Sequence, residues 1–176
     1  YVAVQIAIGV DYTCVLYSNG SDYKLYSCGS NAAGKLGQDI FAYQNDVNKT
    51  HTRLSPVSLS ALGGSYTTGL VNITISITNM WFLLVLNYAT DFKTYACGWN
   101  YYNGLGTGTA NLSSLTLVPR TNIPTGSYVK CCTAGGISSV LLMSNNKVYS
   151  TGLTTGTSVL TEWSGLNIAG KTIKTI

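Results

Sequence analysis

The sequence predicts an all-β chain built as a β-propeller-like repeat array, and three observations predict it. Ile6 matches Ile75, Tyr26 matches Tyr95, and Cys28-Gly29-Ser30-Asn31 matches Cys97-Gly98-Trp99-Asn100, all at an offset of 69 residues. Short alternating or apolar runs bounded by Gly, Asn and Ser recur within each copy. No stretch sustains a helical period. Repeats of this kind mark a chain of stacked supersecondary units. A two-sheet sandwich would also show short, regularly spaced strands, but it does not predict two copies in fixed register over roughly 30 residues.

Each unit opens with one strand, at Val2 to Ile8, Ile73 to Ile77 and Tyr128 to Cys132. A second follows at Cys14 to Tyr17, Trp81 to Leu86 and Ser139 to Met143, and a third at Lys24 to Cys28, Lys93 to Cys97 and Lys147 to Thr151. The turns at Asn19-Gly20 and Asn145-Asn146 supply residues that tolerate positive φ, as tight hairpins require. After the third strand comes a structural loop in which Gly29, Asn31, Gly34, Leu36 and Gly37 match Gly98, Asn100, Asn103, Leu105 and Gly106. A weaker third copy keeps Ala134-Gly135, Val140-Leu141-Leu142 and Tyr149-Ser150-Thr151-Gly152. Segments 38–57 and 107–122 read as linkers ending near Pro56 and Pro119, since proline suits edges and turns rather than central strands.

The chain therefore divides into a first repeat at 1–57, a second at 58–122 and a degenerate third at 123–170. Residues 171–176 read as the first strand of a further repeat, or as a strand exchanged with a neighbour. Propellers close with roughly four to eight blades. An array of about three is expected to be incomplete, or completed by neighbouring subunits.

Composition narrows the partners. Charged residues are 9% of the chain, against about 25% in an average soluble domain. Polarity then comes from Ser, Thr, Asn, Gly and the hydroxyls of 13 Tyr, a balance expected outside the cell or on its surface. The net charge of +4 is scattered, with no basic stripe for nucleic acid. The longest apolar run, Trp81 to Leu86, is far below the roughly 20 residues of a spanning helix, so no membrane insertion is expected.

The five cysteines, Cys14, Cys28, Cys97, Cys131 and Cys132, have no metal-ligand spacing, and one histidine does not complete a zinc site. Two readings stay open. They are small buried hydrophobes, or Cys14 and Cys28 form a disulfide across the first hairpin. Pairing Tyr17 with Leu25 around a tip at Ser18 to Asp22 would place those two cysteines opposite each other.

Residue supply argues against an enzyme. The carboxylates Asp11, Asp22, Asp39, Asp46, Asp91 and Glu162 are not paired at a spacing that builds one cleft. His51 reads as a solvated loop residue, and no Gly-x-Ser-x-Gly elbow accompanies it. Gly104 to Gly108 looks like a phosphate loop, but the repeat already accounts for its glycines and no Lys-Ser/Thr pair follows. No cofactor or metal is expected.

Two kinds of candidate site remain. Asn19, Asn48, Asn72 and Asn111 stand in Asn-x-Ser/Thr sequons, about the number chance supplies, yet Asn19 falls at a hairpin tip and Asn48 and Asn111 in linkers. Asn72 falls at a strand start. Trp99, Tyr101 and Tyr102, with Tyr43 and Tyr66, are rings that could anchor a protein partner or stack on sugar.

The pattern resembles the repeat of the regulator of chromosome condensation family, a seven-bladed β-propeller. The family unit has an Ala-Gly pair, an apolar strand, a turn, then aromatic-x-x-Gly-x-Asn-x-x-Gly-x-Leu-Gly and a proline-valine segment. Here Tyr26 to Asn31, Gly34 to Gly37 and Pro56-Val57 fit in the first copy, and Tyr95 to Asn100, Asn103 to Gly106 and Val118-Pro119 in the second. The usual Trp before the glycine is Cys28 or Cys97, and the usual His after Ala-Gly is absent. The resemblance implies a binding module that works on a small GTPase or chromatin inside the cell. No residues here carry over that exchange activity. The leading expectation is a non-enzymatic extracellular scaffold, glycosylated, binding proteins that include copies of itself or further repeats, and assembling into polymers or filaments. The intracellular cytoplasmic or nuclear module is the alternative.

Overall fold

The computed structural model of the chain describes residues 1–38, 50–120, 123–153 and 156–164, without the side chains of Thr50 and His51. Asp39, Tyr43, Asp46, Asn48 and the segment 171–176 lie outside the described residues, as does the His51 side chain. Among the described residues, twelve strands form three four-stranded antiparallel sheets, in each of which strands consecutive in sequence are neighbours. The first holds β1 (Val2–Ile8), β2 (Tyr12–Ser18), β3 (Tyr23–Ser30) and β4 (Thr50–Val57). The second holds β5 (Leu70–Ile77), β6 (Trp81–Tyr88), β7 (Phe92–Gly98) and β8 (Leu112–Leu117). The third holds β9 (Val129–Ala134), β10 (Ser138–Met143), β11 (Val148–Gly152) and β12 (Thr157–Glu162). This is an all-β architecture of blade-like meanders, and the described residues contain short 3₁₀ turns but no α-helix.

The sequence missed the fourth strand of each sheet. β4 and β8 run through the segments read as linkers, because an edge strand buries too little to show a clean alternation. In β4, Arg53, Leu54 and Pro56 are exposed, and Pro56 sits opposite Tyr26 on the outermost strand, where its missing N–H does no harm.

Two cores lie between the sheets. Cys14, Leu16 and Leu25 of the first sheet pack with Ile73, Ile75, Phe82, Leu84, Leu86, Tyr95 and Cys97 of the second. Leu83, Val85 and Ala96, on the opposite face of the second sheet, pack with Leu141, Met143, Tyr149 and Leu160 of the third. Period-2 alternation explains why β6 reads as a continuous apolar run: Phe82, Leu84 and Leu86 enter one core and Trp81, Leu83 and Val85 the other. Such a strand has no wet face.

The repeat motif seals each core from the loop side. Asn31 Oδ1 accepts a hydrogen bond from the Leu36 N–H at 3.0 Å, and Asn100 Oδ1 accepts from the Leu105 N–H at 3.0 Å. Each bond turns the loop inward, so Leu36 is fully buried in the first core and Leu105 in the second. Gly29, Gly98 and Gly152 share positive φ, and a Cβ on any of them would lie 2.3–2.4 Å from a carbonyl oxygen of the preceding turn. Those glycines are therefore demanded by space as well as by dihedral angle.

The disulfide expectation is corrected by register. Ser18 pairs with Tyr23, Tyr17 with Lys24, Cys14 with Ser27, and Thr13 with Cys28. Cys14 and Cys28 consequently point to opposite faces of the sheet, and all five cysteines are free. The shift comes from a four-residue hairpin loop. Asn19 Oδ1 accepts from the Ser21 and Asp22 N–H groups at 3.1 and 2.8 Å, and the Asn19 N–H donates to the Asp22 carbonyl at 3.2 Å. That network closes the tip one residue earlier than a pairing of Tyr17 with Leu25 allows.

Candidate interaction surface

Two surfaces combine exposed apolar side chains with a rigid support. The first is a ring cluster on the loop after β7. Trp99 and Tyr101 have ring centroids 5.8 Å apart, and Tyr101 meets Tyr102 edge-on at 4.7 Å. Trp99 is 41% and Tyr101 67% exposed. The residue between them, Asn100, is buried and anchors the loop: its N–H donates to Asn111 Oδ1 at 2.7 Å and its Nδ2 donates to the Gly108 carbonyl at 2.6 Å. The rings are thus displayed outward on a fixed base and do not cover the glycine-rich turn from within. Large amphipathic rings held in this way lose little entropy on binding, which suits protein recognition.

The second is the face of the first sheet that points away from the second. Register places Ile6, Val15, Tyr26 and Pro56 in one row across it, and Ile8, Thr13 and Cys28 in another. Ile6 and Ile8 are 59% and 76% exposed. Tyr17 and Tyr26 meet edge-on at 5.5 Å, and the Lys24 ammonium lies 4.2 Å from the centre of the Tyr1 ring. Together with Leu54 these residues line a shallow cavity of about 350 Å³.

Beside it, Asp22 gathers polar contacts. The Tyr1 hydroxyl donates to Asp22 Oδ2 at 2.5 Å and the Tyr66 hydroxyl to Oδ1 at 3.1 Å. The Tyr1 hydrogen bond above all holds the Asp22 carboxyl below its usual range. Burial, then the bond to Asp22, pushes the Tyr66 phenol up to about 12. These groups order the hairpin; they do not form a nucleophile–base pair. Among the described residues no cluster of three or more His, Cys, Asp or Glu could hold a metal ion.

Of the sequon asparagines, Asn19 is exposed at the hairpin tip. Asn72 is also exposed, within β5, where its Oδ1 accepts from Asn87 Nδ2 at 3.0 Å. Asn111 is half-buried and its Oδ1 is engaged by the Asn100 N–H. Asn19 and Asn72 are thus the exposed ones of the three, and the Oδ1 of each is already hydrogen-bonded. Sequence reasoning did not single out the exposed face that carries Ile6, Ile8 and Tyr26. The signal was there: the same positions in the second copy, Ile75, Ile77 and Tyr95, lie at a contact between sheets.

No helix of the described residues is long and apolar enough to cross a membrane. No protein-family model and no curated protein sequence matches the chain. Solved structures do match. Human WBSCR16 superposes with a TM-score of 0.70 at 18% identity, over 96% of this chain and 40% of that one. Prp20p from Saccharomyces cerevisiae, reported with its binding properties to Gsp1p and histones, gives 0.70 at 21% identity over 96% and 39%. The structure of Kap60 bound to yeast RCC1 (Prp20) gives 0.69 at 19% identity over 96% and 38%. The chain spans about 40% of the length of these proteins. The likeness establishes the architecture: three antiparallel meanders arranged as in an RCC1-like β-propeller.

Proposed function

We propose that this chain is a non-enzymatic β-propeller scaffold that binds protein partners through the Trp99–Tyr101–Tyr102 loop. The observation that carries this is the pairing of the exposed Trp99 and Tyr101 rings, in tilted and edge-on contact with each other and with Tyr102, with a buried Asn100 that fixes their loop. Solved proteins of the same architecture support the protein-binding part, since Prp20p is reported with Gsp1p, histones and Kap60. Affinity capture tests it. Wild-type chain should retain a protein that Trp99→Ala/Tyr101→Ala loses at least about tenfold, the equivalent of 1.4 kcal/mol. Equal recovery by a folded variant would sink the reading.

Our reading of the compartment is extracellular, with N-linked glycan at Asn19 first, assembling with copies of itself. The low charge and the exposed hairpin-tip sequon support it. A second reading places the scaffold inside the cell. It is favoured by five free thiols, three of them half-exposed, which suit a reducing compartment, and by the intracellular likeness of the resembled family. Intact mass of the native protein, before and after glycan removal and reduction, separates the two. A heterogeneous mass that collapses on deglycosylation supports secretion; the bare chain with five titratable thiols supports the intracellular module.

A further inference from the structure

The ring cluster stands on a loop whose fold does not need it. Across the 69-residue offset, Trp99, Tyr101 and Tyr102 fall on Ser30, Ala32 and Ala33. The hydrogen bonds of the loop nonetheless repeat. The Trp99 N–H donates to the Met80 carbonyl at 2.8 Å, as the Ser30 N–H donates to that of Asp11 at 2.9 Å. The Asn103 N–H donates to the Asn100 carbonyl at 3.0 Å, as the Gly34 N–H donates to that of Asn31 at 3.1 Å. The Gly106 N–H reaches the Asn103 carbonyl at 3.2 Å, and the Gly37 N–H that of Gly34 at 2.9 Å. The bond from the Leu105 N–H to Asn100 Oδ1 likewise matches the one from Leu36 to Asn31. A serine and two alanines therefore suffice to build this turn. Large rings at the same positions, with Trp99 and Tyr101 exposed, mark a contact site.

The chemistry of the rings narrows what they contact. The indole N–H of Trp99 can only donate, and the hydroxyls of Tyr101 and Tyr102 donate readily. Among the described residues none of these three groups meets a hydrogen-bond partner. Segment 94–119, which contains the loop, carries no Asp, Glu, Lys or Arg. The rings touch one another, with centroids 5.8 and 4.7 Å apart, so no cage is left between them for a cation. The site thus offers apolar ring faces and uncharged donors. A polyproline II segment is the complement: its prolines are apolar rings without an N–H, and its carbonyls have no internal partner. A helix fits less well, because its carbonyls are already engaged along its length.

We propose that the Trp99–Tyr101–Tyr102 loop takes a proline-rich segment of its protein partner in the polyproline II conformation. The prolines lie against the Trp99 and Tyr101 rings, and the segment's carbonyls accept from Trp99 Nε1 and the two tyrosine hydroxyls. This rests on the scaffold reading and names the chemistry of its partner. Asn100 fixes the loop and the proline segment is itself preformed, so little order is lost on either side when they meet.

The test is calorimetric titration of the full chain with a peptide of about ten prolines. A glycine–serine peptide of the same length and a β-linked glucose oligosaccharide are the comparison ligands. The proline peptide should bind saturably below about 1 mM, and neither comparison ligand should. Trp99→Ser/Tyr101→Ala, which follows the first copy, should keep its circular dichroism spectrum and weaken binding at least about tenfold. Trp99→Phe/Tyr101→Phe keeps rings but removes donors, and its affinity should fall between the two. Absence of saturable binding, equal binding by the folded Ser/Ala variant, or saturation by the oligosaccharide in place of the proline peptide would overturn the proposal. If the Ser/Ala variant fails to fold, the Phe variant decides, and unchanged affinity overturns it. A protein captured by wild type, lost by Trp99→Ala/Tyr101→Ala and not displaced by the proline peptide would keep the scaffold reading while overturning this one.

Discussion

Gln5 and Ile75 are joined by a matched pair of hydrogen bonds, Gln5 Nε2 donating to the Ile75 carbonyl at 2.8 Å and the Ile75 N–H donating to Gln5 Oε1 at 2.9 Å. One side-chain amide thus completes the edge of a strand in the next sheet. Asn87 repeats the device one sheet further on: its Nδ2 donates to the Val129 carbonyl at 2.7 Å, and the Val129 N–H donates to its Oδ1 at 3.0 Å. Adjacent sheets are locked by polar stitches, from β1 to β5 and from β6 to β9, as well as by the cores.

The stitches predict unequal costs. Asn87 and Val129 are both buried, so Asn87→Leu strands two backbone groups, at about 1–3 kcal/mol each. A total loss of about 2–6 kcal/mol is expected by urea denaturation. Gln5→Leu should lose less, about 1 kcal/mol, because Gln5 is only half-buried and water can replace it.

Gly104 approaches Trp81 so closely that a Cβ would lie 2.3–2.4 Å from the indole ring. The ring cannot retreat easily: it is fully buried, and its Nε1 donates to Ser139 Oγ at 3.0 Å. Gly104→Ala should therefore destabilise by about 1–3 kcal/mol, as overpacked cores do. It should also shift the tryptophan emission. Gly64→Ala, where nothing lies within 4 Å, is the control and should leave both unchanged.

Lys35 is a buried cation whose ammonium lies 2.7 Å from Asp11 and donates to the Asn79 carbonyl at 3.2 Å. The Asp11 side chain is 45% exposed, so water screens the pair and lowers its worth. Asp11→Asn leaves the ammonium with weaker partners and should cost about 1–3 kcal/mol, less than for a fully buried pair. Lys35→Met removes the buried charge and should change stability by less than about 1 kcal/mol. A larger loss for Lys35→Met than for Asp11→Asn would contradict this ranking.

Acid should weaken the fold through Asp22 and Asp91. The Arg120 hydrogen bond above all lowers the Asp91 carboxyl, and the Tyr1 hydroxyl lowers Asp22. A carboxyl whose folded pKa is depressed binds its proton more readily when unfolded. Its stabilisation is therefore complete above the unfolded value of about 3.9 and is lost as pH falls through the lower folded value. Unfolding midpoints should be flat from about pH 7 to 5 and drop below about pH 4. Asp91→Asn should flatten that drop, and an unchanged acid profile would exclude Asp91 as a contributor.

What the sequence disclosed and what it hid follow from burial. β6 and β7 were legible because two buried faces make a continuous apolar run, and the loop after them because Asn31 and Asn100 recur with their glycines. β4 was hidden because it carries exposed residues and a proline, and β8 because its buried positions pair a serine, Ser113, with Leu115 while the apolar Leu112 is half-buried and Leu117 exposed. The hairpin register was missed by one residue because the bonds of Asn19 to Ser21 and Asp22 are a property of three-dimensional closure. That slip moved Cys28 to the wrong face, as any one-residue slip must. Trp99 and Tyr101 were visible as candidates, but the buried Asn100 that displays them is a fact of packing.

Thiol labelling tests the corrected register. Cys14 and Cys97 are fully buried, and burial pushes the Cys14 thiol up to about 12, so little thiolate forms at neutral pH. Burial likewise pushes Cys132 up to about 12. Cys28 lies half-exposed on the uncovered face, opposite Thr13. A maleimide at about pH 7 should modify Cys28 in the native protein well before Cys14, Cys97 or Cys132, and all five should react after denaturation without a reductant. Protection of Cys28 together with Cys14, released only by reductant, would restore the disulfide that the register excludes.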